Sequence, residues 1–440
     1  MNILFLYNAT QTYTSTVFEH LSSFNKYSKN RCFYAHQDEH KDINIDFSYF
    51  DAVVIHYTIR LPYNQISNIT AEALSSYKGL KVLLIQDEYD HTHRAWHWIN
   101  RLGINLVFTV VPEQSISTVY PEAVFPNVKF VSVLTGYVPE NLECNNYSPP
   151  SQRQLVIGYR GRPLPIRYGE LGLHKVSIGR FATDYCVQHN IKHDIAWSEN
   201  SRIYGDKWYE FMTACRSMLG TESGSNVFDW DGTLSDKVNA YQALNPSASE
   251  LDIWSVVIKP LERPGLMNQV SPRVFEAIAA RTVLVMFEGA YSGVLKPDVH
   301  FISVNIDGSN LSEVFAKLND ATFVDAMAER TFVDIILSKK YSYERFVELF
   351  DNQLSASHLV TVAAVGLNDN HVFDVPSAIT TGPLRAEPPG LPIDSFSNSI
   401  LGANNYRDLV GRLSVFFWLQ IPISIRDMIR PGLKWLLGRG

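Results

Sequence analysis

Ser271–Gly293 reads SPRVFEAIAARTVLVMFEGAYSG, and this stretch decides the fold. Ser271 is a natural N-cap, and Pro272 suits the first helical position, where its missing N–H costs nothing. Val274, Phe275 and Ile278 define one apolar face and leave Arg273 and Glu276 on another side of the helix. The run Val283–Phe287 follows at once and ends in Glu288-Gly289. Its unbroken apolar character is that of a parallel strand covered on both faces. A helix N-terminus carrying an Arg suits phosphate, and a carboxylate one turn later can accept ribose hydroxyl hydrogen bonds. The plainer alternative is an ordinary αβ unit with a surface ion pair.

The same alternation extends in both directions. Strands are expected at Leu155–Tyr159, Asp194–Trp197, Met218–Gly220 and His300–Val304, with helices at Gly205–Cys215, Ser309–Leu318 and Ser342–Leu354. The first 140 residues repeat the pattern: Ile3–Tyr7, Ala52–His56, Lys81–Gln86, Asn105–Val110 and Lys129–Leu134 are strand-like, and Ser15–Phe24 and Thr70–Tyr77 suit crossover helices. The fold class is therefore α/β, with two Rossmann-like doubly wound domains facing a cleft and a C-terminal tail. The boundaries read as an N-terminal domain over 1–142, a linker over 143–154 (ECNNYSPPSQRQ) and a second domain over 155–355. A Pro-rich linker over 356–405 and a basic amphipathic tail over 406–440 follow.

Composition narrows the function. Of 440 residues 46% are apolar and 19% charged, which supplies ordinary cores and no disorder signature. The net charge of −7 excludes a generically basic nucleic-acid binder, so no nucleic-acid partner is expected. Cys32, Cys144, Cys186 and Cys215 stand far apart, which fits reduced thiols rather than a zinc ribbon or thioredoxin-type site. The opening MNILFLYN lacks a basic flank and reads as a strand rather than a secretion signal. No run approaches the ~18–20 apolar residues that span a bilayer. A cytoplasmic protein is expected.

Several motifs bear on chemistry. The first strand is followed by NATQTYT, with no glycine fingerprint for a dinucleotide. Asp229–Leu234 reads DWDGTL, the pattern of phosphatases with an aspartyl nucleophile, but its preceding residues look like a loop where that chemistry needs a strand. Gln86–His97, QDEYDHTHRAWH, reads as a polar loop lining the cleft, with metal binding as the less favoured alternative. Gly158–Lys175, GYRGRPLPIRYGELGLHK, places Arg160, Arg162, Arg167 and Lys175 just beyond a strand, which suits phosphate binding.

With these residues in place, S-P-R-x-F-E-A followed by a short strand and Gly loop resembles the donor-binding half of GT-B glycosyltransferases, particularly glycosyltransferase family 4. The G-Y-R-G-R…G…K opening, Leu219–Gly232 (LGTESGSNVFDWDG), Val54–Arg60 (VIHYTIR) and Asp87–Tyr89 are similar to the same group. The resemblance spans about residues 1–355. It implies transfer of a sugar from a nucleotide-sugar donor to a hydroxyl acceptor, glycan or lipid-linked, in bacterial glycan or polysaccharide synthesis, with no metal or other cofactor. Arg160, Arg162 and Lys175 would neutralise the leaving diphosphate, with Arg273 assisting. Glu276 would hold the ribose, and Glu222, Ser223, Gly224, Ser225 and Glu288 would contact the donor. His56, Asp87 and Glu88 would lie nearest the cleft on the acceptor side, Asp87 or Glu88 acting as base if configuration inverts. Two departures stand out. Asn268 falls where family members carry the first of two glutamates, and Arg281 falls where they carry glycine.

The rivals are a phosphatase built on Asp229 and a non-catalytic nucleotide- or glycan-binding protein. The tail mixes VFFWL (Val415–Leu419) and Trp435-Leu436 with Arg412, Arg426, Arg430, Lys434 and Arg439. That composition fits a helix lying peripherally on the inner face of a membrane, or a segment packed on protein.

Overall fold

The computed structural model describes residues 1–43, 45–140, 147–358 and 379–387. Strand β1 (Asn2–Tyr7) forms from the apolar opening, and β2 (Arg31–His36) lies parallel beside it. β2 is not evident in the sequence because Arg31 and His36 bound its short apolar run. Then come β3 (Ala52–Ile55), β4 (Leu80–Ile85), β5 (Leu106–Thr109) and β6 (Lys129–Ser132), each parallel to its neighbour. Every residue of β3, β4 and β5 is buried, as the continuous apolar runs require.

The second sheet is built from β7 (Leu155–Arg160), β8 (His193–Ala196), β9 (Cys215–Gly220), β10 (Val283–Phe287) and β11 (Phe301–Val304). Its order is β11-β10-β9-β7-β8 and all its pairings are parallel. The α/β class with two Rossmann-like sheets is thus what the chain adopts. The first sheet gains a further strand, β12 (Ile379–Thr380), antiparallel to β2. Its order becomes β12-β2-β1-β3-β4-β5-β6.

Two segments cross the boundaries read from sequence. Helix Tyr343–His358 follows the second sheet in the chain but packs on the first. Its Tyr343, Phe346, Val347, Phe350 and Leu354 join a core with Phe5, Phe24 and Phe108. The Phe24–Phe350 and Phe108–Phe350 ring centroids lie 4.8 and 5.2 Å apart, contacts worth about 0.5–1.5 kcal/mol each beyond area burial. Residues 379–386, expected within the Pro-rich linker, run along the same sheet. The Leu384 amide donates to the Tyr7 hydroxyl at 2.8 Å, and the Ala386 amide to Thr12 Oγ1 at 2.8 Å. Met1–Ala386 forms one compact unit holding both sheets. No helix among the described residues is long and apolar enough to cross a membrane. The tail 406–440 lies outside the described residues.

Candidate functional site

β7 begins the second sheet, and β8 and β9 flank it on opposite sides. Chain connections leave it in opposite directions, which opens a crevice beyond the carboxyl ends of β7 and β9. A cavity of about 270 Å³ fills that crevice. Arg160 lines it from the end of β7 and Arg162 from just beyond, Lys175 from helix Gly169–Gln188, and Arg273 from the start of helix Pro272–Ala279. Thr221 and Ser223 border it beyond β9, with Trp208, Met212, Met218 and Leu284 as apolar walls. Its lining carries four cations and no carboxylate.

The four cations differ in availability. Arg160 is turned aside: its Nη2 donates to Asp194 Oδ2 at 2.8 Å, its Nη1 donates to two carbonyls, and its guanidinium lies 4.2 Å from the Phe211 ring centroid. It braces the loop more than it offers charge. Arg273 is exposed and donates to the Arg160 carbonyl at 2.7 Å, which leaves most of its donors free. Arg162 is exposed and forms no ion pair among the described residues. Lys175 donates weakly to the Glu222 carbonyl at 3.3 Å and to Ser223 Oγ at 3.4 Å, with no carboxylate partner among the described residues. Burial, then the nearby Arg273 charge, pulls its ammonium down to about 8. Arg167 points elsewhere and pairs with the buried Asp90 beyond β4.

Glu276 corrects an expectation. It is 7% exposed rather than on a free helix side, because Trp208 from helix Asp206–Ala214 covers it and donates its indole N–H to Oε2 at 2.8 Å. Burial pushes its carboxyl above the usual range. Glu222 is likewise buried; its Oε1 accepts from the Tyr291 amide at 2.7 Å and its Oε2 from Asn268 Nδ2. Ser225 is enclosed and bonds the carbonyls of Tyr168 and Val227 at 3.2 and 2.9 Å, so it holds the loop together. Gly224 has φ +89°, and a Cβ there would meet the Met267 carbonyl oxygen at 2.0 Å. Glu288 is exposed and lines neither this cavity nor the second one described below.

Gly224→Ala is therefore expected to cost at least about 1–2 kcal/mol from backbone handedness alone, plus displacement of the Met267 backbone. Because Glu222 and Ser223 precede it, binding at the cavity should weaken more than global stability falls. Parallel melting and binding measurements check this.

A second cavity, about 580 Å³, opens between the two sheets. Val110, Pro112, Ser132, Leu134 and Tyr137 come from the first half, and Asn268, Gln269, Ala290 and Ser292 from the second. Gln269 Nε2 donates to the Val110 carbonyl across this seam, and Thr135 Oγ1 to that of Val270.

Two of the three first-half candidates do not face the cleft, a correction to the expected arrangement. His56 is fully buried; its Nε2 lies 3.0 Å from His20 Nδ1 and its Nδ1 3.0 Å from Thr58 Oγ1. Burial holds both rings below the ordinary histidine range, His20 at about 3. Glu88 is also fully buried; its Oε1 accepts from Thr109 Oγ1 at 2.5 Å and from the Val110 amide at 3.2 Å, and burial pushes its carboxyl up to about 8. Only Asp87 keeps solvent access. It accepts from the Tyr89 hydroxyl at 2.7 Å and lies 3.5 Å from Arg60 Nη2.

The Asp229–Leu234 loop does not have phosphatase geometry. Asp229 lies well beyond the end of β9, its Oδ1 accepts the Leu234 amide at 3.2 Å, and its backbone pairs with Tyr89 and Thr92. Asp231 pairs with His93 Nδ1 at 2.8 Å. The sequence marks Trp208 only as part of a helix and carries no sign of Glu19. The latter, on helix Ser15–Tyr27, is pushed up to about 7 by burial and by the charges of Glu140 and Glu276. No local signal marks a carboxylate whose negative neighbours come from distant segments.

No known protein family matches the chain, and no curated protein does. Among solved structures it is similar to an alpha-glucosyltransferase in complex with UDP and a 13-mer DNA, with 9% identity, TM-score 0.48, and 81% of this chain and 99% of that one covered. T4 phage BGT in complex with its UDP-glucose substrate gives 12% identity, TM-score 0.46, and 80% and 99% coverage. Anabaena HepE in complex with UDP gives 11% identity, TM-score 0.45, and 81% and 100% coverage.

Proposed function

We propose that this chain is a GT-B glycosyltransferase that moves a sugar from a nucleotide-sugar donor to a hydroxyl acceptor. The observation that carries the reading is the cavity beyond β7 and β9, lined by four cations and no carboxylate in a protein of net charge −7. Such a site is built for a polyanion, and the apolar walls beside it suit a nucleobase. Lys175 and Arg162 meet the charge that develops on the departing diphosphate, with Arg273 adding to them. The role a divalent ion would otherwise fill falls to these cations. Glu276 holds the ribose once Trp208 yields its indole hydrogen bond. The acceptor, a glycan or a lipid-linked sugar, enters the second cavity, which the exposed Glu113 lines from the first half; Asp87, though accessible, lies outside that lining.

A melting screen against UDP, GDP, ADP and their sugar conjugates tests this. At 100 times its dissociation constant the correct donor should stabilise the fold by about 2.7 kcal/mol, and its sugar should then be transferred. Mg²⁺-dependent phosphate release without nucleotide binding would favour the phosphatase reading instead.

Titration of Lys175 adds a pH signature. Its amine is charged below about 8 and neutral above, so it attracts diphosphate below that value and loses the attraction as pH rises through it. Nucleoside diphosphate affinity should fall by up to about tenfold per pH unit above 8. In Lys175→Arg, which stays charged, the fall should vanish. Calorimetric titrations from pH 7 to 9.5 measure both.

A further inference from the structure

A third cavity, about 360 Å³, borders the Asp229–Leu234 loop and is closed on its other side by residues 260–263. That volume falls within the range of small-molecule sites, about 300–1,000 Å³. The loop is fixed by the first half of the chain. The Asp229 amide donates to the Tyr89 carbonyl at 2.7 Å, and the Thr92 and His93 amides donate to the Asp229 and Trp230 carbonyls at 3.2 and 3.0 Å. Gly232, at φ +78°, lets the loop close on His91; a Cβ there would lie 2.1 Å from His91 Nδ1. The DWDGTL stretch, which lacks phosphatase geometry, thus forms a rigid wall.

That wall holds polar atoms without partners. Asp229 is 5% exposed; its Oδ1 accepts the Leu234 amide at 3.2 Å, but its Oδ2 has no donor among the described residues. Polar groups so deeply buried are ordinarily hydrogen-bonded. Asp231 engages His93 through Oδ1 and leaves Oδ2 without a donor among the described residues. On the donor side, the Trp230 indole N–H and the exposed Lys237 and Arg263 side chains have no acceptor among the described residues. Free acceptors and free donors therefore face one space. A phosphate there would be repelled by Asp229, Asp231 and Glu262, and a metal ion by Lys237 and Arg263. A sugar hydroxyl both donates and accepts, so it satisfies both kinds of group. The Phe228 and Trp230 rings, with centroids 5.4 Å apart, offer apolar surface to its C–H groups.

We infer that this cavity is a carbohydrate-binding subsite that takes one uncharged sugar unit of a glycan. Arg263 lines it and Gly265 lines the second cavity, so the two borders lie no more than about 7 Å apart along the chain. A single glycan can therefore reach both. The inference rests on the glycosyltransferase reading for its purpose: the acceptor is a chain of several sugars, with its reacting end in the second cavity and a further unit anchored here.

Affinities of wild type, Asp229→Asn and Lys237→Ala are measured by calorimetry for two sets of probes. One set is UDP, GDP and ADP; the other is neutral trisaccharides of glucose, galactose, mannose and N-acetylglucosamine. Wild type should bind at least one trisaccharide. Both variants should bind it about tenfold more weakly, the size of a lost hydrogen bond to a charged group, and should bind nucleotide as wild type does. In Asp229→Asn one oxygen still accepts from the Leu234 amide, while the free acceptor becomes a donor. If that variant does not fold, Lys237→Ala, at an exposed position, decides alone. Trisaccharide affinity unchanged in the folded variants, or absent from wild type, overturns the inference, and nucleotide binding by the same samples leaves the glycosyltransferase reading standing. Failure of wild type to bind any nucleotide overturns that reading instead; trisaccharide binding that the variants weaken would still uphold the sugar subsite.

Discussion

Lys175→Ala should lower sugar transfer by about 10²–10³-fold, equivalent to ~2.7–4 kcal/mol of lost stabilisation of developing negative charge. The same change should leave the melting temperature unchanged or raise it. The ammonium makes only two long hydrogen bonds, at 3.3 and 3.4 Å, and has no carboxylate to leave stranded. Burial already disfavours its charged form, so the native state is relieved when the charge goes. Loss of transfer with intact stability is the signature of a group kept for function rather than for folding. Steady-state transfer measured beside thermal melting checks it. Equal falls in both would assign Lys175 to structure.

Arg167→Ala should act in the opposite way and destabilise the fold. Asp90 has only 2% of its side chain exposed; it pairs with Arg167 and accepts from the Tyr63 and Tyr168 hydroxyls at 2.7 and 3.0 Å. Removing the guanidinium leaves a buried carboxylate with two neutral donors and a distant Arg60 at 3.9 Å. Breaking a buried pair on one side costs about 3–5 kcal/mol, and the remaining hydroxyls place this case near the lower end. Asp90 belongs to the first half and Arg167 to the second, so the loss falls on the seam between the sheets. The double variant Asp90→Leu/Arg167→Leu should recover much of the stability, because no charge is then left unpaired. Denaturant unfolding of wild type, Asp90→Leu, Arg167→Leu and the double variant decides it; a purely additive double variant would show that the pair is not coupled.

These two residues show how far local pattern carries. Both come from one stretch, Gly158–Lys175, and on sequence alone Arg160, Arg162, Arg167 and Lys175 form a single cationic cluster. In the fold Arg160 is bound to Asp194 and Arg167 to Asp90, while Arg162 and Lys175 are left without carboxylate partners among the described residues. The partners lie 34 and 77 positions away in the chain, and no short window reveals them. Glu276 was legible as a polar residue beside an apolar face, yet Trp208 from another helix buries it. His56 and Glu88 occur just after strands, the usual place for functional groups, and the core takes both.

What the sequence by itself determined were the properties carried by neighbours in the chain. Unbroken apolar runs specified parallel strands, Ser271-Pro272 specified a helix start, and glycine and arginine beyond β7 specified a turn suited to anions. Arg281, at φ +50°, occupies the backbone conformation expected from glycine at that place. Only the tertiary structure decided which charges stay available, because a side chain's solvation and partner depend on whatever distant segment packs over it. It also decided that helix Tyr343–His358 docks on the first sheet: an amphipathic pattern states that a face must be covered, and not by which surface.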